Sequence, residues 1–434
     1  MIDPSGSFQP DMHKIANRVA TKAHDTGAPS HIALFMPSLG GGGVERVMLN
    51  LARTFLERGY RVDLLVCRTA GSFRDQVPAQ LNVVALQAAP AWWARLLILA
   101  ADPKGLKTWL RSLLFPFQAF EQFRCFADLL RYLRRERPSV LLSAMTKPNF
   151  MAVWARRLLG IPTRVIISEH NTFSLAQSFP AKKQWERRQR HLPTMVERVY
   201  SGADAIIAVS NGVADDLAQC TGIRRERITT IYNPIVTPEL VKQATAPLDH
   251  PWFQSGTPPV VLGAGRLSAQ KDFPTLLRAF ARVRAKQAAR LMILGEADAK
   301  HTTFRAELMT LATQLGIAND VALPGFVANP FAYLARAAVF VLSSAWEGLP
   351  SVLIEALACG CPVVSTDCPS GPAEILEDGK YGPLVPVGDE VRLAEAILSV
   401  LNTPPNRDRL RARGALFAID HVADRYLEAL LSSA

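Results

Sequence analysis

Apolar residues along this chain alternate between short solid runs and longer stretches in which they recur every three or four positions. HIALFMPSL (31–39) is a solid run, the pattern of a strand buried on both faces. Four glycines follow. Val44, Val47, Met48, Leu51, Phe55 and Leu56 then return at helical spacing, predicting an amphipathic helix closed by Gly59. YRVDLLVC, SVLLSA (139–144), RVIISEH (164–170) and ADAIIAVS (203–210) predict further buried strands with helices between them. A Pro-containing stretch around 236–259 reads as a linker. After it the rhythm restarts with PVVLGAGRL (259–267), a helix over 273–287, RLMILGE (290–296), a helix over 303–315, VALPGF (321–326), AVFVLSS (338–344) and PVVSTD (362–367). Such alternation predicts an α/β chain of two doubly wound, Rossmann-like domains, 31–235 and 236–415, facing each other across a cleft. Residues 416–434 read as a closing helix, and 1–30 as a polar leader, expected to be disordered and lacking the apolar core of a signal peptide.

Composition narrows this picture. With 49% apolar residues over 434 positions a large core is available and wholesale disorder is excluded. No uninterrupted apolar run reaches the roughly 18 residues of a membrane span. The best candidate, AWWARLLILAA (91–101), is too short and carries Arg95. Cys359, Cys361 and Cys368 could be imagined as a thiolate metal site, but small buried residues at a helix end are the favoured reading, and scattered cysteines suit a reducing cytoplasm. Charge is lopsided: residues 1–250 hold 32 Lys/Arg against 20 Asp/Glu, and 251–434 hold 17 against 18. Within 101–200 the count is 18 against 7, so the first half is expected to meet an anionic partner.

The chemistry gathers at strand ends. In AVFVLSSAWEGLPSVLIEALACGCPVV (338–364), Glu347 sits in a strand-to-helix loop and Glu355 on the helix. Backbone N–H groups from about Gly348 through Leu349 and Pro350 to Ser351 open towards an anion, although Pro350 itself has none to give. Carboxylates beside such a site can hold sugar hydroxyls; solvated glutamates flanking an ordinary helix start are the competing reading. GAGRLSAQKDFP (263–274) places Gly265 in a turn after a strand, with Arg266 and Lys271 able to neutralise a diphosphate. Gly40 to Gly43, with Gly41 and Gly42 at the centre, lacks the Gly-Lys-Ser/Thr of a phosphate loop. His170 at a strand end can donate to sugar hydroxyls or an oxyanion, or be a core histidine. Glu169, by strand alternation, is expected on the other face. Trp92, Trp93, Trp109, Phe115, Phe117, Phe120, Phe123 and Phe126, interleaved with Arg95, Lys104, Lys107, Arg111 and Arg124, describe a surface that could bed into anionic lipid, as does AKKQWERRQRH (181–191). Helical core with solvated charges is the alternative. No nucleic-acid-binding motif accompanies them.

Together these motifs, with SEHN (168–171) and CPSGPAEILEDGKYGPLVP (368–386), resemble retaining glycosyltransferases of family 4 and their GT-B architecture over roughly residues 31–415. Glu347 and Glu355 match that family's Glu-x7-Glu pattern. The resemblance implies a hexose or N-acetylhexosamine moved from a nucleoside-diphosphate sugar, with UDP expected, to a saccharide or polyprenyl-diphosphate-linked acceptor in cell-surface polysaccharide assembly. It implies that Glu347 holds the donor sugar, Glu355 the ribose, and Arg266 and Lys271 the diphosphate, with His170 at the sugar and Phe326 framing the base. It implies front-face displacement in which the leaving phosphate deprotonates the acceptor. No Asp-x-Asp pair is present, so neither metal nor cofactor is expected. Gly295-Glu296-Ala297 departs from the family's Gly-x-Gly. The enzyme is expected at the cytoplasmic face of the cell membrane. An epimerase or phosphorylase of the same architecture, or a non-catalytic membrane-surface binder, are the competing readings.

Overall fold

The computed structural model describes residues 30–40, 42–71, 73–105, 118–174, 192–297 and 303–432. Seven strands form the first sheet: β1 (His31–Ser38), β2 (Arg61–Arg68), β3 (Asn82–Ala85), β4 (Val140–Ala144), β5 (Arg164–Glu169), β6 (Ala205–Ala208) and β7 (Ile228–Thr230). They pair in parallel in the order β3-β2-β1-β4-β5-β6-β7. The second sheet holds β8 (Val260–Ala264), β9 (Arg290–Leu294), β10 (Val321–Gly325), β11 (Val339–Leu342), β12 (Val363–Thr366) and β13 (Leu384–Val385). Its order is β10-β9-β8-β11-β12-β13, also parallel. Each sheet winds outwards from its first strand in both directions, so a crevice opens at the strand C-termini between β1 and β4, and between β8 and β11. Among the described residues no helix is long and apolar enough to cross a membrane.

The solid apolar runs form strands because helices cover both faces. Ile32 through Met36 are fully buried, as are Val165 to Ile167. The helices that matter below are α1 (Gly43–Glu57), α2 (Ala91–Ala101), α3 (Thr146–Leu159), α4 (Asn211–Thr221), α5 (Ser351–Ala358), α6 (Pro372–Leu376), α7 (Arg407–Ala415) and α8 (Ile419–Leu431). Trp154 of α3 is fully buried, with Phe150 and Phe126 ring centroids 5.5 and 6.2 Å away. Burying such a side chain contributes about 3 kcal/mol.

The stretch 236–259 is more ordered than a linker. Thr237 accepts from Leu240 N and Pro238 presets the first turn, so a helix forms over Pro238–Ala244. The chain crosses between the sheets twice at one place. Ile235 and Val236 N–H both donate to Phe417 O at 3.1 Å, and Ile419 N–H returns to Val236 O at 2.9 Å. Beyond the crossing, α8 packs against α1 and β4 of the first domain.

Candidate functional site

The turn after β8 is shaped by glycine. Gly265 has φ 148°, and a Cβ there would lie 2.9 Å from Lys271 Cε, so only glycine lets the lysine fold back over the turn. Lys271 Nζ then donates to Glu347 Oε1 at 2.5 Å. Ser344 Oγ donates to the same oxygen at 2.6 Å, leaving Oε2 only a long contact from Gln270 at 3.5 Å. Both side chains of the pair are largely buried, at 15% and 8% exposure. The structure therefore brings Lys271 and Glu347 together, each neutralising the other. Arg266 is exposed and has no ion-pair partner among the described residues. Its charge acts across the cleft on Glu45, whose carboxyl burial pushes above the usual range against the pull of backbone amides and Arg266.

Glu347 leads through Gly348, the buried Leu349 and Pro350 into α5, whose first turn no side chain caps. Glu355, 5% exposed, accepts from Arg46 Nη1 of α1 at 2.6 Å. Arg46 escaped the sequence reading. Its one signal was a cation placed a few residues after the glycine run, at the start of a helix. Gly42 precedes α1, and a Cβ there would meet Glu45 Oε2 at 2.4 Å; Gly41 lies outside the described residues.

The two domains touch at this point. A Cβ on Gly348 would lie 2.1 Å from His170 O, so the absence of a side chain is what permits the approach. Ser210 Oγ donates to Gly348 O at 3.0 Å and pairs with Ser370 Oγ at 2.6 Å. Glu374 accepts from Asn211 N and Gly212 N, both 2.8 Å, at the N-terminus of α4. A carboxylate there meets two unpaired N–H groups and the positive end of the helix. The sequence left the loop before Glu374 open between a structural and a sugar-site role; here Glu374 fastens one domain to the other. Arg413 of α7 holds the same turn, donating to Glu374 O at 2.7 Å and Ile375 O at 2.8 Å.

His170 follows directly on the last residue of β5. It is 7% exposed, and its Nε2 lies 3.0 Å from Ser168 Oγ. Ser168 Oγ also lies within hydrogen-bond reach of Ser143 O, at 3.1 Å. Nδ1 is buried without a partner, and burial pushes the imidazole pKa down to about 4. Burial thus favours the neutral ring at pH 7. Glu169 ends β5, and it lines one pocket with His170, Thr146, Lys147 and Thr172. Tyr200, Asn149 and Thr146 all bond the Glu169 carboxyl, while burial pushes its pKa up to about 7.

Phe326 is 73% exposed, and its N–H donates to Oε1 of Glu296, the middle residue of Gly295-Glu296-Ala297, at 3.3 Å. The aromatic–basic stretch divides: Phe123 and Phe126 are core, while Trp92, Trp93 and Leu96 of α2 are 61, 43 and 50% exposed. Lys107, Trp109, Arg111, Phe115, Phe117 and the 181–191 stretch lie outside the described residues, and so does the side chain of Phe120. The three clustered cysteines are buried, and burial pushes each thiol up to about 12. No cluster of three or more metal-ligating residues occurs among the described residues.

Two family models match. The one for glycosyl transferases group 1 covers residues 249–417, and the one for glycosyltransferase family 4 covers 41–238. The chain is 29% identical over 380 residues to N-acetylgalactosamine-N,N'-diacetylbacillosaminyl-diphospho-undecaprenol 4-alpha-N-acetylgalactosaminyltransferase of Campylobacter jejuni, covering 88% of this chain and 91% of that protein. It is 34% identical over 238 residues to the lipopolysaccharide core biosynthesis glycosyltransferase LpsE of Rhizobium meliloti, covering 54% of this chain and 66% of that one. Its fold is that of Anabaena HepE, crystallised in complex with UDP and glucose: TM-score 0.71 and 20% identity, covering 93% of this chain and 99% of the other. With both domain models matched in order along most of its length, the chain belongs to the family 4 glycosyltransferases and has their GT-B architecture.

Proposed function

We propose that this enzyme transfers a hexose or N-acetylhexosamine, with retention, from a UDP-linked donor to a lipid-linked saccharide during cell-surface polysaccharide synthesis. The observation that carries this reading is the pairing of Lys271 with Glu347 just before the uncapped start of α5, against His170 of the opposite domain. The named functions of the relatives support the substrate classes: transfer to a diphospho-undecaprenol glycan in one, lipopolysaccharide core synthesis in another. The fold neighbour bound to UDP and glucose supports the nucleotide.

In this reading Arg266 and Lys271 hold the donor diphosphate and stabilise it as leaving group, a role fixed cations can fill at a helix start. Glu347 binds sugar hydroxyls and Glu355 the ribose. The acceptor oxygen attacks the anomeric carbon on the face the phosphate leaves, the sugar–phosphate bond breaks, and the acceptor proton passes to a leaving phosphate oxygen. Exposed Trp92, Trp93 and Leu96 on the cationic domain set the enzyme on an anionic membrane surface at its inner face.

A thermal-shift panel of nucleotide sugars tests the donor, because a bound donor stabilises the fold by mass action. UDP release should require an acceptor, and Glu347→Ala should abolish it without unfolding the protein. UDP release from donor alone at the full rate, or an active Glu347→Ala variant, refutes the assignment. Binding to anionic vesicles should exceed binding to neutral ones and weaken in Trp92→Ser/Trp93→Ser; equal binding to both refutes the membrane surface.

A further inference from the structure

Two cysteines of the first domain stand side by side although 58 residues separate them in the chain. Cys67 is the penultimate residue of β2 and half-buried; Cys125 closes the helical segment Gln118–Cys125 and is buried. Leu86, just past β3, donates its N–H back to Val66 O of β2 and accepts from Cys125 Sγ at 3.6 Å. The same sulfur reaches Cys67 O at 4.0 Å, while Cys67 Sγ reaches Gln122 O at 3.9 Å. The two thiols thus share one space and hydrogen-bond to each other, with Cys67 the donor. That bond pulls the Cys125 thiol below the ordinary cysteine value against the burial that opposes it. Cys125 is also the N-cap residue of the helix Phe126–Glu136, whose free N–H groups favour a negative sulfur. Cys67 is pushed the other way, first by holding its proton for its neighbour and then by burial. A thiolate beside a protonated thiol is the arrangement of a reacting and a resolving cysteine. None of the other four cysteines has a lowered thiol. Burial pushes Cys359, Cys361 and Cys368 up to about 12, and Cys220 is raised by burial and by the Asp216 carboxylate 3.9 Å away.

We propose that Cys67 and Cys125 form a modification site, at which hydrogen peroxide oxidises the pair to a disulfide that ties β2 to the segment Gln118–Cys125. The Cys125 thiolate attacks a peroxide oxygen, the O–O bond breaks and hydroxide leaves, giving a sulfenic acid. Cys67 sulfur then attacks Cys125 sulfur, the S–O bond breaks, and the oxygen departs as water with the Cys67 proton. Two thiols lose two electrons, one peroxide gains them, and two waters result once the hydroxide takes up the proton that Cys125 had given to solvent. The tie reaches the cleft. Gln122, on the tethered segment, lines the pocket that holds Glu169 and Lys147. Beside it Ala89 N–H donates to Arg124 O and Arg124 Nε to Ala89 O, both at 2.9 Å, and α2 packs on the same segment. Oxidation therefore stiffens one wall of the cleft without changing any residue assigned to the donor.

The test treats the full-length protein with hydrogen peroxide in native buffer and maps it by mass spectrometry without reduction. A Cys67–Cys125 cross-linked peptide should appear before any change at Cys359, Cys361 or Cys368, and dithiothreitol should remove it. Cys67→Ser keeps a hydroxyl donor beside Cys125, so dimedone should then trap a sulfenic acid on Cys125, whereas Cys125→Ser should leave Cys67 unlabelled. Oxidised wild type should melt about 5–10 °C higher, as a cross-link closing a loop of this length does, and exchange its amides over Gln118–Cys125 more slowly. Neither serine variant should show that shift, and matching melting temperatures of the reduced proteins show that the variants fold. Peroxide-treated wild type without the cross-link, a cross-link that forms only in urea, or dimedone on Cys220 as readily as on Cys125 overturns the proposal.

Discussion

Gly348→Ala isolates the contact between the domains. The new Cβ would lie 2.1 Å from His170 O, against 3.4 Å for ordinary contact, so the backbones must separate by 3.4 − 2.1, or about 1.3 Å. The three atoms nearest that Cβ all belong to the first domain, so the clash falls across the domain contact. Separation of that size carries Ser210 Oγ out of reach of Gly348 O, now at 3.0 Å, and strains its 2.6 Å bond to Ser370 Oγ. Two such bonds at about 1 kcal/mol each shift the closed-to-open ratio by roughly 30-fold. We expect the radius of gyration in X-ray scattering to rise, kcat/KM to fall about 10- to 30-fold, and the melting temperature to hold. Gly43→Ala is the matched control, since a Cβ there meets only Ser351 Oγ of the other domain, at 3.8 Å. A Gly348→Ala enzyme with an unchanged scattering curve and kcat/KM within about twofold of wild type would refute the reasoning.

Lys271→Ala removes a charge-assisted contact of about 1.5–3 kcal/mol and should lower kcat/KM by one to two decades or more; undiminished steady-state rates would exclude a role for it at the diphosphate. Glu374→Gln keeps the size of the side chain but loses the charge at the start of α4, so the closed state should weaken by about 1–3 kcal/mol, read as faster amide exchange at Asn211 and Gly212. At the opposite end of the first sheet, burial raises the Asp63 carboxyl, but bonds from His31, Tyr132 and Asn82 outweigh it and hold the pKa well below the usual range. That stability is present above the unfolded value of about 4 and is lost as pH falls below it. Asp63→Asn should therefore destabilise by about 2–3 kcal/mol at pH 7, and by progressively less in urea melts between about pH 4 and pH 2.

Strands were the most legible part of the chain, because a parallel sheet covered on both faces demands solid apolar runs and the sequence has them. The crossing at Ile235–Val236 and Phe417 was less so: it is made by backbone hydrogen bonds, which leave no side-chain pattern. Arg266, Lys271, Glu347 and Glu355 could be picked out because glycine turns after strands mark where side chains reach the crevice. Their partners could not. Lys271 meets Glu347 across 76 residues of sequence and Arg46 meets Glu355 across 309, distances over which no periodicity carries information. His170 could be placed at a strand end, but which of its nitrogens donates depends on where a neighbour's single proton goes, and no sequence pattern carries that.

The cleft holds two kinds of cation, and the difference bears on how a donor would enter. Arg266 and Lys147, one on each domain, have no ion-pair partner among the described residues and can meet an anion without breaking a contact. Lys271 and Arg46 are committed to Glu347 and Glu355. On the proposed reading, a diphosphate drawing Lys271 towards itself strips Glu347 of its counter-charge, leaving Ser344 and a long contact from Gln270. A buried carboxylate deprived of its partner is destabilised by about 3–5 kcal/mol unless something replaces it. The donor's own sugar hydroxyls are placed to do so. Recognition of the diphosphate and of the sugar would then be one exchange instead of two independent contacts, with the sugar completing what the phosphate disturbs. UDP alone would start the exchange and leave it unfinished, so a sugar-bearing donor should bind this site more tightly than the nucleotide it becomes, and the spent nucleotide should be the more weakly held product.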